Sequence, residues 1–321
     1  MVRIRTYTSS REVEQLGPLW KSIHQNGRGT LFQSFALNLL AARQFGHREE
    51  PFVVSAESSY GVAIVPAVRR RSDGSLRLLG EELFDYRGFL CDGDESVLRF
   101  ALAALAEAGD KFESIAVREC DRQAVMDELE LLPFTASPSV NRRQISAQEF
   151  GSRHTRLARN LRRLRRQGFD LKIHSGGNSA LVRLIYECKA SVDPASLFHD
   201  PLRVEFMVEA ARLPASRCEI FTLDAGSQLA AALVIFREEG IRRFYTCFFS
   251  ANLARLSPAM ALIHEATRQS LADGLDCDYM TGEQGYKLRL ATDSMPLYRL
   301  RATSQQLEAL TRKKAVLRRA G

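Results

Sequence analysis

Four side chains near the end of the chain could do acid–base chemistry together. They fall in the run Asp278-Tyr279-Met280-Thr281-Gly282-Glu283-Gln284-Gly285-Tyr286-Lys287. Tyr286 could supply a proton, Glu283 or Asp278 could take one, and Lys287 could offset developing negative charge. A turn with a packed tyrosine and a surface lysine would use the same residues. A second candidate stands upstream, at Arg255-Leu256-Ser257-Pro258-Ala259-Met260. Ser257 suits a helix N-cap, and Pro258 suits the first helical position, where no N–H is needed. Met260 stands three after that cap, so no capping box forms. Such a helix start can hold a pyrophosphate on free N–H groups, with Arg255 adding a charge-assisted bond. A plain, well-capped helix is the simpler reading of that signal.

These groups need elements to hold them. The helix start follows a strand carrying Phe244, Tyr245, Phe248 and Phe249. The acid–base run leaves a strand end, where ligands gather in α/β sheets. The pattern predicts strands at 219–223, 228–236 and 241–249, a helix at 258–272, a strand at 277–280, a short helix at 285–290 and a strand from Leu297. Before these come a strand at 169–173 and helices at 179–192 and 201–213. The first half shows the same order: a strand at 2–7, helices at 11–24 and 33–45, strands at 52–56, 60–68 and near 76–79, a helix at 96–108, a strand at 114–117, a helix at 121–131 and a strand ending near Ile145. Leu31-Phe32-Gln33-Ser34 corresponds to Leu197-Phe198-His199-Asp200, and Ser59-Tyr60-Gly61-Val62-Ala63 to Ser227-Gln228-Leu229-Ala230-Ala231. A near-constant offset with one element order predicts two related α/β (α+β) domains, 1–148 and 149–321, each a mixed sheet flanked by helices.

The 321 residues are 45% hydrophobic and 26% charged, which excludes collagen-like, low-complexity and disordered chains. No apolar run approaches the roughly 20 residues that span a bilayer. The first residues lack the apolar core of a signal peptide, so a cytoplasmic location is expected. Six cysteines without metal-ligand spacing read as buried thiols, and no metal is expected. The net charge of +7 is concentrated: 153–166 holds seven arginines and no acid, and 309–321 holds five cations and no acid. Phe150, His154, Leu157, Leu161 and Leu164 make a narrow apolar stripe on an otherwise basic helix ended by Gly168. That helix reads either as a solvated connector or, from Arg153 to Arg166, as a contact for polyanions.

The Ser-Pro helix start and the Gly282-Glu283-Gln284-Gly285-Tyr286-Lys287 segment behind Asp278 resemble the GNAT acyltransferase superfamily. They are most similar to its tandem-GNAT group associated with cellulose and exopolysaccharide biosynthesis. The two-halved order also resembles Fem-type transferases, which use aminoacyl-tRNA. The chain departs from the usual GNAT phosphate loop, since Pro258 and Met260 stand where glycines belong. Ala259 replaces the group's frequent Gly, and Leu290 stands where an aromatic often follows Tyr-Lys.

The resemblance implies an acyl-CoA co-substrate, acetyl-CoA first, bound by the second domain. It implies an acceptor amine, or less often a hydroxyl, on a sugar nucleotide, polysaccharide precursor or related metabolite. Amides near Phe248, Phe249 and Ser250 would serve the carbonyl oxygen, and Arg255, Ser257, Ala259 and Met260 the phosphates. Tyr286 would protonate the leaving sulfur, Glu283 would act as base with Asp278 behind it, and Lys287 would neutralise charge. The first domain, whose corresponding helix begins at the acidic Gly93-Asp94-Glu95-Ser96, would shape the acceptor side instead. Phe32, Asp85, Tyr86, Arg87, Phe198, His199 and Tyr245 are the candidates for acceptor contacts. A Fem-type aminoacyl-tRNA-dependent transferase and a non-catalytic polyanion-binding protein are the alternatives.

Overall fold

The computed structural model describes residues 1–26, 29–80, 82–118 and 129–317, with side chains to residue 311. The chain opens with β1 (Arg3–Tyr7), α1 (Ser10–Gln15), α2 (Gly17–Asn26) and α3 (Phe35–Gln44). Next come β2 (Glu49–Glu57), β3 (Gly61–Arg70), β4 (Leu76–Leu78), β5 (Leu90–Gly93), α4 (Ser96–Ala103), β6 (Lys111–Arg118) and β7 (Glu130–Val140). The second run is α5 (Ala147–Arg153), α6 (Thr155–Arg166), β8 (Asp170–Ser175), α7 (Ser179–Val192), α8 (Pro201–Arg212), β9 (Glu219–Ala225), β10 (Gln228–Glu238) and β11 (Ile241–Phe249). It closes with α9 (Pro258–Ala272), β12 (Asp276–Asp278), α10 (Gly285–Leu290), β13 (Asp293–Thr303) and α11 (Ser304–Leu317).

Local chemistry explains several boundaries. Ser9 and Glu12 close a capping box at the start of α1. The helix expected over 11–24 is split, with α1 ending at Gln15 and α2 opening at Gly17-Pro18, because proline fits only a first turn. The basic helix is likewise two helices that meet at His154, whose backbone is not helical (φ −118°, ψ 40°). β9 and β10 join in a tight hairpin with Gly226 at φ +61° and Ala225 paired to Gln228. The helix expected over 121–131 lies mostly outside the described residues, and Glu130 and Leu131 already belong to β7.

The chain forms two compact units, Met1–Thr135 with the segment from Pro296 onward, and Ala136–Met295. A boundary at 148 would leave residues 136–148 in the first unit and the C-terminal segment in the second. The sheets explain the difference. The first unit's sheet runs β1-β2-β3-β4-β6-β13, with β5 also on β3, so its last strand comes from the C-terminal end. The second runs β7-β12-β11-β10-β9-β8, so it begins with residues upstream of 148.

Each sheet is antiparallel apart from one parallel pair, β4–β6 in the first unit and β11–β12 in the second. The sequence repeat has a structural counterpart. Leu31–Gln33 and Leu197–His199 are both single 3-10 turns, in which the preceding Thr30 or Ser196 hydroxyl accepts the N–H of Phe32 or Phe198. The first core gathers Val54, Val65, Leu98, Leu102, Phe112, Leu300 and Leu307. The second gathers Phe150, Leu161, Leu164, Phe221, Leu233, Leu262 and Tyr279. A buried side chain of this kind contributes about 1.5–3 kcal/mol.

Candidate active site in the second unit

Strand β11 pairs with β12 only from Ile241 to Arg243. β12 ends at Asp278, and the chain then turns aside, with Tyr279 N–H donating to Pro138 O (3.0 Å) and Gly282 N–H to Ala136 O (2.9 Å). Beyond Arg243, no described strand pairs with β11 on that flank, which is open among the described residues. Its other flank stays on β10 to the pair Phe249–Ala231. The ladder slips where Val234 faces Thr246 but Ile235 faces Phe244, so Tyr245 is the extra residue of a bulge. Ser250 N–H donates to Ala230 O (2.9 Å). Strand alternation then turns the Phe248 amide toward β10 and the Cys247 and Phe249 amides toward the open flank. Of the three amides expected to meet a carbonyl oxygen, only that of Phe249 is so aimed.

The start of α9 is unusual. Ser257 is left-handed (φ 48°, ψ 56°) and its side chain makes no cap. The expected N-cap is therefore absent. The 3-10 turn Ala251–Leu256 delivers the chain with Ser257 N–H bound to Ala254 O (2.9 Å), and the hydroxyl cannot reach back over the first turn. The Ala259 and Met260 amides are left without a side-chain acceptor. The first unit differs at this point: at the start of α4, Asp94 accepts both the N–H (2.8 Å) and the hydroxyl (2.6 Å) of Ser96. That carboxylate occupies the place an anionic ligand would need.

A cleft of about 420 Å³ opens at the start of α9, between Ser257 and Met260 on one side and Arg153, His154, Arg156 and Asn160 on another, with Arg289 also at its wall. Helix α6 is held there by Leu157, Leu161 and Leu164, which join the core cluster containing Met260 and Leu290. Its arginines all face outward. Arg153 pairs with Glu149. Among the described residues, Arg156, Arg159, Arg162, Arg163, Arg165 and Arg166 have no carboxylate partner within ion-pair distance, and neither does the exposed Arg255. The connector reading of this helix gives way to one in which it belongs to the second unit and walls a cleft.

Behind the cleft, His264 stacks on Phe150 (5.4 Å between centroids) and meets His154 edge-on (6.1 Å). Both its ring nitrogens are buried without a partner. Burial drives it down from 6.5 to about 4, and the neighbouring His154 adds to the effect. The unfolded chain therefore takes up a proton that the folded chain refuses. Stability contributed by neutral His264 is complete above pH 6.5 and declines as pH falls toward 4. Melting temperatures recorded across pH 4–7 should show that decline, and His264→Phe should flatten it.

The acid–base run forms a tied turn. Asp278 is buried, accepting from Ser137 Oγ (2.9 Å) and Met280 N–H (2.8 Å), and it pairs with Arg243. Arg243 also pairs with Glu238 (2.6 Å). Met280 is left-handed (φ 63°), as is Gly282 (φ 103°). Lys287 is 7% exposed and donates to Thr281 O (2.6 Å) and Met280 O (3.3 Å). Its ammonium thus grips the turn carbonyls, and Asp278 grips the same turn from β12. Glu283 is exposed, with no hydrogen bond or ion pair to any described residue. Tyr286 is half-buried against the core, and burial, helped by nearby Cys247, pushes its phenol up to about 12.

Several expected acceptor contacts are core. In the first unit Phe32, Tyr86 and Arg87 are buried, and Phe32 packs edge-on to Tyr86 (6.0 Å). Arg87 Nε donates to Phe84 O (3.1 Å), and burial pulls its guanidinium down to about 10. Asp85 is half-buried. In the second unit Phe198 is buried on Tyr186 (4.3 Å), His199 is exposed with its ring against Asp193 O (3.1 Å), and Tyr245 lies on Phe236 (5.2 Å). Sequence reasoning missed His154, Asn160 and Arg289 at the cleft, and Arg243 behind Asp278. Asn160 did carry a signal: it is the one uncharged polar residue adjacent to a leucine of the α6 stripe.

A family model described as an acetyltransferase (GNAT) domain matches residues 151–288. That match lies wholly within the second unit. No curated protein sequence matches the chain. Among solved structures, FemX is 9% identical with a TM-score of 0.62, covering 96% of this chain and 99% of its own. L-PGS from Bacillus licheniformis is 11% identical with a TM-score of 0.59, covering 88% and 90%. A tandem GNAT protein from the clavulanic acid biosynthesis pathway is 10% identical with a TM-score of 0.52, covering 95% and 99%. These likenesses show a fold shared along nearly the whole chain. The cleft, the open flank of β11 and the Asp278–Lys287 turn all involve residues within or bordering the GNAT match. Among the described residues no helix is long and apolar enough to cross a membrane, and no cluster of His, Cys, Asp and Glu could hold a metal ion.

Proposed function

We propose that the GNAT domain moves an acyl group, acetyl foremost, from acyl-CoA to an amine, or less readily a hydroxyl, of a sugar nucleotide, polysaccharide precursor or related metabolite in the cytoplasm. The observation that carries this reading is the uncapped start of α9 beside the open flank of β11. The amides of Ala259 and Met260, with Arg255, receive the donor's phosphates, and the thioester extends along β11. The Phe249 amide polarises the carbonyl. The acceptor nitrogen attacks the carbonyl carbon and loses a proton to Glu283, directly or through water. The C–S bond breaks, and the sulfur takes the Tyr286 proton. Asp278 and Lys287 position the turn between these groups. The first unit, its α4 start filled by Asp94, serves the acceptor.

Thermal unfolding with acetyl-CoA, longer acyl-CoAs and charged tRNA tests the donor. Saturating acetyl-CoA should raise the melting temperature by several degrees, since a ligand at about 100 times its Kd adds about 2.7 kcal/mol. The unpaired arginines of α6 favour a second reading, an aminoacyl-tRNA donor. A shift with charged tRNA and none with any acyl-CoA would replace the first reading with that one.

A further inference from the structure

A second cavity, of about 430 Å³, lies wholly within the first unit, where β4 and β6 begin and β13 ends. That volume falls in the small-molecule range of about 300–1,000 Å³. Its lining is charged but balanced, with Arg77, Lys111 and Arg301 against Asp73, Glu113 and Glu130. Part of that charge is satisfied internally. Glu113 pairs with Arg301 (3.1 Å), and Asp73 accepts from the Ser75 hydroxyl (2.6 Å) and N–H (3.0 Å). The other three groups are not. Among the described residues, the side chains of Arg77, Lys111 and Glu130 make no hydrogen bond or ion pair. The Arg77 Nε is buried as well. A guanidinium edge withdrawn from water in this way is destabilising unless something pairs with it.

The free groups carry both signs, and this selects the ligand. A dianion such as phosphate would meet three carboxylates on the same wall, and a polyamine would meet three cations. A molecule with one carboxylate and one ammonium finds a partner for each. We infer that this cavity binds a zwitterion of the amino-acid or short-peptide class, its carboxylate on Arg77 and Lys111 and its ammonium on Glu130. The Nε edge of Arg77 suits a forked pair with a carboxylate, and Lys111 adds a point charge. Gln306, at the same wall, spends its side-chain oxygen on the Thr303 N–H (2.8 Å), which leaves its NH2 for a peptide carbonyl. The inference is independent of the acyl-transfer reading, since the cavity belongs to the first unit and no residue of the α4 start lines it.

Calorimetric titration of the full chain with γ-aminobutyrate, glycylglycine, butyrate, butylamine and inorganic phosphate tests it. Wild type should bind at least one of the two zwitterions at least tenfold more tightly than butyrate, butylamine or phosphate. Glu130→Gln should bring zwitterion affinity down to that of butyrate and leave butyrate unmoved, a split that general loosening of the fold would not produce. Arg77→Met, which keeps the apolar stem and removes the guanidinium, should weaken zwitterion binding at least tenfold. Where Arg77→Met fails to fold, Glu130→Gln and Lys111→Ala decide, because both side chains are exposed; each should weaken zwitterion binding. A wild type that binds neither zwitterion, binds phosphate most tightly, or shows no preference over the singly charged probes overturns the inference. Unchanged zwitterion affinity in the folded variants overturns it too. Each of these results leaves acyl-CoA binding by the second unit untouched, so the two readings fail separately.

Discussion

Tyr286→Phe should lower turnover about 10²–10⁴-fold, the range expected for loss of a positioned general acid, while the Kd for the acyl donor stays within twofold. The environment supplies the reason. Burial holds the Tyr286 phenol near 12, so it keeps its proton at neutral pH. Burial likewise pushes the neighbouring Cys247 thiol up to about 12, so charge of either kind is disfavoured there. Turnover should then show no loss between pH 8 and 10 that depends on Tyr286. Thiol release from acetyl-CoA in the presence of an amine acceptor measures both effects. Equal turnover in wild type and variant would remove the acid role.

Asp278→Ala should cost about 3–5 kcal/mol, the usual effect of removing one partner of a buried ion pair. Arg243 would keep Glu238 but lose its deeper carboxylate, and Ser137 Oγ and Met280 N–H would lose their acceptor. The turn carrying the left-handed Met280 and Gly282 would lose its β12 anchor. Thermal unfolding should shift down by roughly 10 °C, and turnover should fall with it because Tyr286 follows that turn. Asp278→Asn, which keeps an acceptor for Ser137 and Met280, should recover part of the stability. A melting temperature for Asp278→Ala within a degree of wild type would show that the pair does not hold the turn.

Local signals gave the elements of the second unit closely. α7 spans Ser179–Val192 and α10 spans Gly285–Leu290, as the periodicity and the Gly285 punctuation predict. Proline at its first position marks the start of α9. The repeated Leu-Phe pair marks the 3-10 turns of both halves. The site was less legible. Lys287 looks like a surface cation in sequence, yet it is buried on two carbonyls. Arg87 looks like a loop cation and is core. Ser257 has the identity of an N-cap and not its conformation. In each case residue type predicts what a side chain can do, and packing decides what it meets.

Pattern alone established an α/β chain of two similar halves, a basic segment at 153–166 and a Ser-Pro helix start in the second half, because periodicity and proline chemistry act within a few residues. Tertiary structure decided that β13 completes the first sheet, that β7 opens the second, and that Asn160, Arg156 and Arg289 meet the start of α9 around one cleft. Those meetings join residues far apart in sequence. They depend on strand pairing and on the burial of the α6 leucines, which no local pattern specifies.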